Sequence, residues 1–194
     1  EIHERLVGSE MCIRDRNELV IKRVIHTTAD FDYADNLTFS DHAVRKGIAA
    51  LKSGCDIVTD TQMAKAGINK TILASLGGEV HCFMSDPDVA QEARSRGVTR
   101  AFVSMEKAAA LEKPCIFAIG NAPTALLSLE TLMEENKVAP ALIIGVPVGF
   151  VNVEASKEQI IAAARAPYII ARGRKGGSNV AAAICNALLY QIRR

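Results

Sequence analysis

From about Cys55 onward, short β-branched runs alternate with longer stretches whose apolar residues recur at helical spacing. The runs Asp56 to Thr59, Val80 to Met84, Cys115 to Ile119, Ala141 to Val146 and Tyr168 to Ala171 are mostly apolar, as strands are when both faces of a parallel sheet are covered. Helical period marks Pro87 to Arg96, Arg100 to Leu111, Thr124 to Glu135, Lys157 to Ala166 and Ser178 to Gln191. This alternation predicts βαβ units, and hence an α/β fold: three α/β/α layers around a mainly parallel sheet of about five strands, Rossmann-like in plan. Two more helices, Glu18 to Thr28 and Ser40 to Lys52, precede the sheet, the second opened by a Ser40 cap with Asp41 in its first turn.

The joins are punctuated. Ser85-Asp86-Pro87 offers a cap followed by a proline suited to a first helical turn, and Arg96-Gly97 offers a stop. Gly120-Asn121-Ala122-Pro123-Thr124 repeats the pattern after the Cys115 run. Right-handed crossovers place the loops after each strand along one edge of the sheet, and ligands of open α/β sheets collect there.

Composition narrows the class. A chain of 194 residues with 49% hydrophobic and 23% charged residues fits one globular domain spanning 1–194, within which 1–16 stands apart as atypical. A net charge of +1 gives no global field toward nucleic acid or an anionic membrane, and 5% aromatics with no Trp supply no base-stacking platform. No apolar run is long enough to span a bilayer, and the first residues lack the order of a secretory signal. Cys12, Cys55, Cys82, Cys115 and Cys185 show no CxxC spacing and read as free thiols of a cytoplasmic protein. No His or Cys spacing resembles a metal site, so no metal held by the protein's own ligands is expected.

Several segments carry candidate chemistry. In a helix, Arg23, His26, Thr27 and Asp30 share one face, so that Asp30 would raise the pKa of His26 and fix its tautomer for proton transfer. An ordinary ion-paired helix face fits the same spacing. Arg172-Gly173-Arg174-Lys175-Gly176-Gly177-Ser178 joins a strand to a helix with glycines and cations, a setting for an anion, although neither a P-loop nor a GxGxxG order is present. A solvated turn capped by Ser178 fits it too. Gly145-Val146-Pro147-Val148-Gly149-Phe150-Val151 offers an apolar turn, with Gly149 allowing close approach of a flat ring, or else simply a tight connection. Asp60, Met63, Asn121 and Thr124 stand at equivalent strand ends, and Thr99-Arg100 caps a helix with a cation. His42 and His81 have no acidic neighbour at useful spacing and read as structural, and His3 lies in a terminal stretch.

RVIHTTADFDY (Arg23 to Tyr33), GNAPTAL (Gly120 to Leu126), GVPVGFV (Gly145 to Val151) and GRKGGS (Gly173 to Ser178), in this order, resemble the precorrin-8X methylmutases and their cobalt-pathway counterparts. The resemblance runs from about Glu18 to Tyr190 and departs from the family ahead of the RVIH helix, where a Ser-Phe pair is usual. It implies a homodimeric isomerase of corrin biosynthesis that moves a methyl group from C11 to C12 of a tetrapyrrole, precorrin-8X or cobalt-precorrin-8. It further implies His26 as proton donor and Arg100 near the substrate, with no organic cofactor and any cobalt carried by the substrate. The wording HTTADFDY is closer to the cobalt branch. The substrate-binding set expected is Arg23, Asp60, Met63, Arg100, Asn121, Thr124, Gly149, Arg174, Lys175, Gly176, Gly177 and Ser178. Two other functions compete: a non-catalytic tetrapyrrole carrier, which would not need His26, and a Rossmann-like methyltransferase, whose glycine-rich turn after the first strand is missing.

Overall fold

The computed structural model describes residues 16–192. Helix α1 (16–28) is followed by the short α2 (Tyr33–Asn36), strand β1 (Leu37–Phe39) and α3 (Ala43–Lys52). The chain then winds through β2 (Asp56–Thr59), α4 (Gln62–Gly67), α5 (Lys70–Ser75), β3 (Val80–His81), α6 (Pro87–Arg96) and α7 (Arg100–Ala109). It finishes with β4 (Cys115–Ile119), α8 (Pro123–Glu134), β5 (Leu142–Gly145), α9 (Val153–Ala163), β6 (Tyr168–Ala171) and α10 (Ser178–Ile192). No helix among the described residues is long and apolar enough to cross a membrane. The expectations for His3, Cys12 and 1–15 fall outside the described residues.

The six strands lie in the order β1-β6-β5-β4-β2-β3, parallel throughout except for β1, which pairs antiparallel with β6. Counting only parallel strands, the order is the doubly wound 2-1-3-4-5. Winding reverses between β2 and β4, so a crevice opens outside their carboxyl ends.

Strand side chains alternate between two cores. Ile57, Ile116, Ala118, Leu142, Ile144, Ile169 and Ala171 pack with α1, α3, α4, α5 and α10, whereas Val58, Phe117, Ile119, Ile143 and Ile170 pack with α7, α8 and α9. Each wholly buried Ile, Leu or Val adds roughly 1.5–3 kcal/mol of hydrophobic stabilisation. A one-residue slip would exchange the two sets, so both helix layers fix the register.

Several ends shift by a residue or two, β3 stops at His81 instead of Met84, the short helices α2, α4 and α5 are additional, and three further differences shape the site's surroundings. Strand β1 adds a sixth strand that its three residues were too few to announce. Helix α3 starts at Ala43 after His42, whose φ is 58°, and Ser40 instead accepts the Tyr168 backbone N–H at 2.9 Å, tying α3 to β6. Helix α9 begins at Val153, four residues before the expected Lys157.

Candidate active site

Four loops meet at the carboxyl edge of the sheet, and Asp60 organises them. Its side chain is 1% exposed at the end of β2 and accepts the backbone N–H groups of Gly120, Asn121 and Ala122 at 2.8, 2.8 and 2.6 Å. Burial pushes this carboxyl above its usual pKa, while the three N–H donors pull the other way. Asp60 therefore clamps the β4–α8 turn from behind. Thr61, beside it, caps α4 and shares a 2.7 Å hydrogen bond with Ser178 at the start of α10.

The remaining loops touch backbone to backbone. The Gly177 N–H donates to Val146 O at 2.9 Å, and the Gly149 N–H to Arg174 O at 3.3 Å. A Cβ on Gly120 would stand 2.8 Å from Ser178 Cα, and one on Gly176 would stand 2.0 Å from Val146 O. Only glycine permits those approaches, which explains Gly120 of GNAP and Gly176 of GRKGGS.

The cations of the β6–α10 loop are already paired. Arg172 grips Glu158 through two nitrogens at 2.8 and 2.6 Å, and Arg174 Nε reaches Glu154 at 3.1 Å while its guanidinium lies over the Phe150 ring. Lys175 Nζ bridges Asp30 at 2.7 Å and Asp32 at 2.5 Å. These acids hold the Lys175 ammonium above its usual pKa, and Lys175 lowers that of Asp30. The loop is thus locally neutralised, not the open cationic cradle that its sequence suggests.

The expected Arg23–His26–Asp30 face is also altered. Helix α1 stops at Thr28, Ala29 turns through φ 54°, and Asp30 swings to Lys175. Among the described residues no hydrogen bond joins Asp30 to His26, so the proposed tautomer-fixing partner is engaged elsewhere. His26 is exposed on the last turn of α1, the end that the Asp30–Lys175 pair holds against the glycine loop. Arg23 points away, its guanidinium 5.1 Å above the Tyr190 ring near the far end of α10.

On the other side of the crevice, Met63 is 70% exposed at the start of α4, and Asn121 is exposed on the turn that Asp60 clamps. A Thr99–Thr124 hydrogen bond at 3.2 Å joins the first turns of α7 and α8, and Arg100 is exposed beside it. The Thr99 cap on α7 is present, accepting Phe102 N–H at 3.2 Å. His81 does have an acidic partner: its Nε2 lies 2.9 Å from Asp56, distant in sequence but adjacent across β2 and β3 at the opposite edge of the sheet. The described cysteines, Cys55, Cys82, Cys115 and Cys185, are buried free thiols.

One residue escaped sequence reasoning. Lys157 is 0% exposed on α9, and its Nζ donates to the carbonyls of Gly173 at 2.7 Å and Lys175 at 2.9 Å. Burial pulls its pKa down to about 8. Its signal was there: Val153, Ser156, Lys157 and Ile160 form one buried helical stripe, in which a lysine is out of place.

A family model described as "Precorrin-8X methylmutase" matches residues 1–191, running through the N-terminal stretch that the sequence reading set apart. The chain is 51% identical over 178 residues to a cobalt-precorrin-8 methylmutase of Salmonella typhimurium, covering 91% of this chain and 82% of that relative. It is 41% identical over 172 residues to a precorrin-8X methylmutase of Pseudomonas aeruginosa, covering 88% and 82%. The solved structure of a precorrin-8x methyl mutase from Thermus thermophilus superposes with a TM-score of 0.80 at 36% identity, covering 90% of this chain and 85% of that one.

Proposed function

The chain belongs to the precorrin-8X methylmutase family, and from that premise we propose that it isomerises cobalt-precorrin-8 to cobyrinate by moving one methyl group from C11 to C12, with His26 as proton donor. The metal-free precorrin-8X is the second candidate substrate, giving hydrogenobyrinate. Several relatives with more than 40% identity carry the cobalt name, which favours the cobalt-containing ring. Any cobalt belongs to the substrate.

The observation that carries this reading is spatial: all four motifs of the resemblance lie on the carboxyl-edge loops or on the helix end held against them. A 1,5-sigmatropic shift breaks one C–C bond and forms another, and the methyl group travels with its bonding pair. It requires no nucleophile, oxidant or acceptor. What accelerates it is a ring held in one orientation and a proton that makes the migration terminus more electron-poor. General acid catalysis contributes roughly 10²–10⁴-fold, and orientation supplies more. In this reading His26, exposed on the last turn of α1, gives that proton to a ring lying over Gly149 and the crevice.

In this reading Asn121, Thr124, Arg100 and Met63 line one side and the GRKGGS loop the other, while Asp60 shapes the floor without touching the ring. A second copy of the chain completes the site as a homodimer, and the reaction runs in the cytoplasm. Incubating the protein with cobalt-precorrin-8 and with precorrin-8X, and following the visible spectrum, tests the assignment. Conversion of at least one substrate is expected. Conversion of neither, with both bound, would leave a carrier.

A further inference from the structure

The peptide planes of the β6–α10 loop are set from inside the molecule. Lys157 donates to Gly173 O and Lys175 O, so both carbonyls face the interior of the fold. No cis peptide bond is present among the described residues, and in a trans peptide the N–H points opposite to the C=O. The N–H groups of Arg174 and Gly176, which share those two peptides, are therefore turned away from Lys157. Among the described residues neither has a hydrogen-bond acceptor, whereas the neighbouring Gly177 N–H is spent on Val146 O. Meanwhile the side chains of Arg174 and Lys175 are tied to Glu154, Asp30 and Asp32.

We propose that Lys157 is a positioning residue that turns the Arg174 and Gly176 N–H groups outward as the donors for a carboxylate of the substrate. Recognition of the acid then falls to the backbone, with the paired side-chain cations holding the loop in shape. This rests on the reading of the protein as a methylmutase acting on a tetrapyrrole polycarboxylate. A lysine suits the task because its ammonium supplies several donors from one point, and charge-assisted hydrogen bonds to carbonyls are stronger than neutral ones.

Lys157 titrates within reach of experiment, with a pKa of about 8 set by burial and opposed by Glu154. The charged and titratable groups on the surrounding elements are Glu154 and Glu158 of α9, Glu130 and Glu134 of α8, Tyr168 of β6, Arg172, Arg174 and Lys175 of the loop, Asp30 and Asp32 of the turn beyond α1, and Tyr33 of α2. Above pH 8 the neutral amine grips the carbonyls less firmly, so the loop loosens and substrate binding weakens. Stability moves the other way. The folded pKa of about 8 lies below the unfolded 10.5, so the unfolded chain binds more protons between these values and stability rises with pH across that window. A lysine that merely fills space would give the rise in stability without the loss of affinity.

The test titrates hydrogenobyrinic acid and its fully methyl-esterified form into wild type, Lys157→Arg and Lys157→Met at pH 7 and pH 9. KM and kcat are measured alongside. The free acid should bind wild type several-fold more weakly at pH 9, the ester should show no such change, and Lys157→Met should raise KM about tenfold with kcat reduced far less. Lys157→Arg should recover most of the affinity at both pH values. Should Lys157→Met not fold, the wild-type comparison of acid with ester still decides. Equal pH dependence for acid and ester, or wild-type KM in folded Lys157→Met, would overturn the proposal while leaving the methylmutase reading intact. That reading fails separately, by absence of turnover in the wild type.

Discussion

At the scale of single residues, two side chains near the crevice have opposite characters. His26 is exposed and has no structural duty in the described contacts, so His26→Ala should abolish detectable methyl migration while leaving the melting temperature nearly unchanged and product binding intact. Visible spectroscopy of substrate turnover checks it, and near-wild-type rates would remove His26 from the mechanism. Asp60 is buried, and its loss would leave the N–H donors of Gly120, Asn121 and Ala122 without their acceptor. Each orphaned buried donor costs about 1–3 kcal/mol, with water recovering part for the more exposed ones. Asp60→Ala should therefore lower unfolding stability by about 3 kcal/mol or more in a urea titration. A loss below 1 kcal/mol would mean that the clamp is dispensable.

Elements were legible in the sequence where burial pattern and punctuation agreed. Strands β2, β4 and β6 and helix α6 have their expected bounds, because each joins a continuous apolar or amphipathic pattern to a clear turn. Strand β1 was missed, because its character comes from pairing with β6 and not from its own three residues. Ser40 looked like a helix cap, yet β6 claims its hydroxyl. The cations of the β6–α10 loop were visible but their partners were not: Glu154, Glu158, Asp30 and Asp32 reach them from elsewhere in the chain, a distance no local pattern reports. The glycines of the same loop suggest an anion-binding turn in the sequence, whereas Gly176 serves the close approach of another loop. This yields a prediction for the loop as a unit. In Gly176→Ala the added methyl would meet Val146 O at 2.0 Å, so the β5–α9 and β6–α10 loops must separate. Overpacking of this kind costs roughly 1–3 kcal/mol, and with the loop displaced KM should rise more than stability falls. Kinetics and thermal melts on one preparation check it; an unchanged KM would show that substrate does not rest on this loop.

Across the whole molecule, the apolar surface around the neutralised loop bears on the homodimer proposed above. Phe150 is 84% exposed, Val151 75%, Phe31 78% and Met63 70%; the first two lie on the β5–α9 loop, Phe31 on the turn that Lys175 binds and Met63 on the first turn of α4. Single exposed apolar residues are ordinary, but two phenylalanines and a valine around one neutralised loop form a patch of the kind that marks interaction sites. A ring-shaped substrate would cover part of it. Phe31 sits between the two acids that hold Lys175 and Phe150 lies under Arg174, so the patch extends across loops already rigidified by ion pairs. Preorganised surface of this kind loses little entropy on association. A stable dimer buries about 1,200–2,000 Å² in total, to which these side chains would contribute the apolar centre. The protein should therefore show twice the 20.8 kDa chain mass by light scattering at micromolar concentration, without substrate. Replacing Phe150 and Val151 together by Ser should shift it toward monomer with its far-ultraviolet circular dichroism retained, since neither side chain is part of the core. If wild type is monomeric until product is added, the patch belongs to the substrate and the second chain is not needed to complete the site.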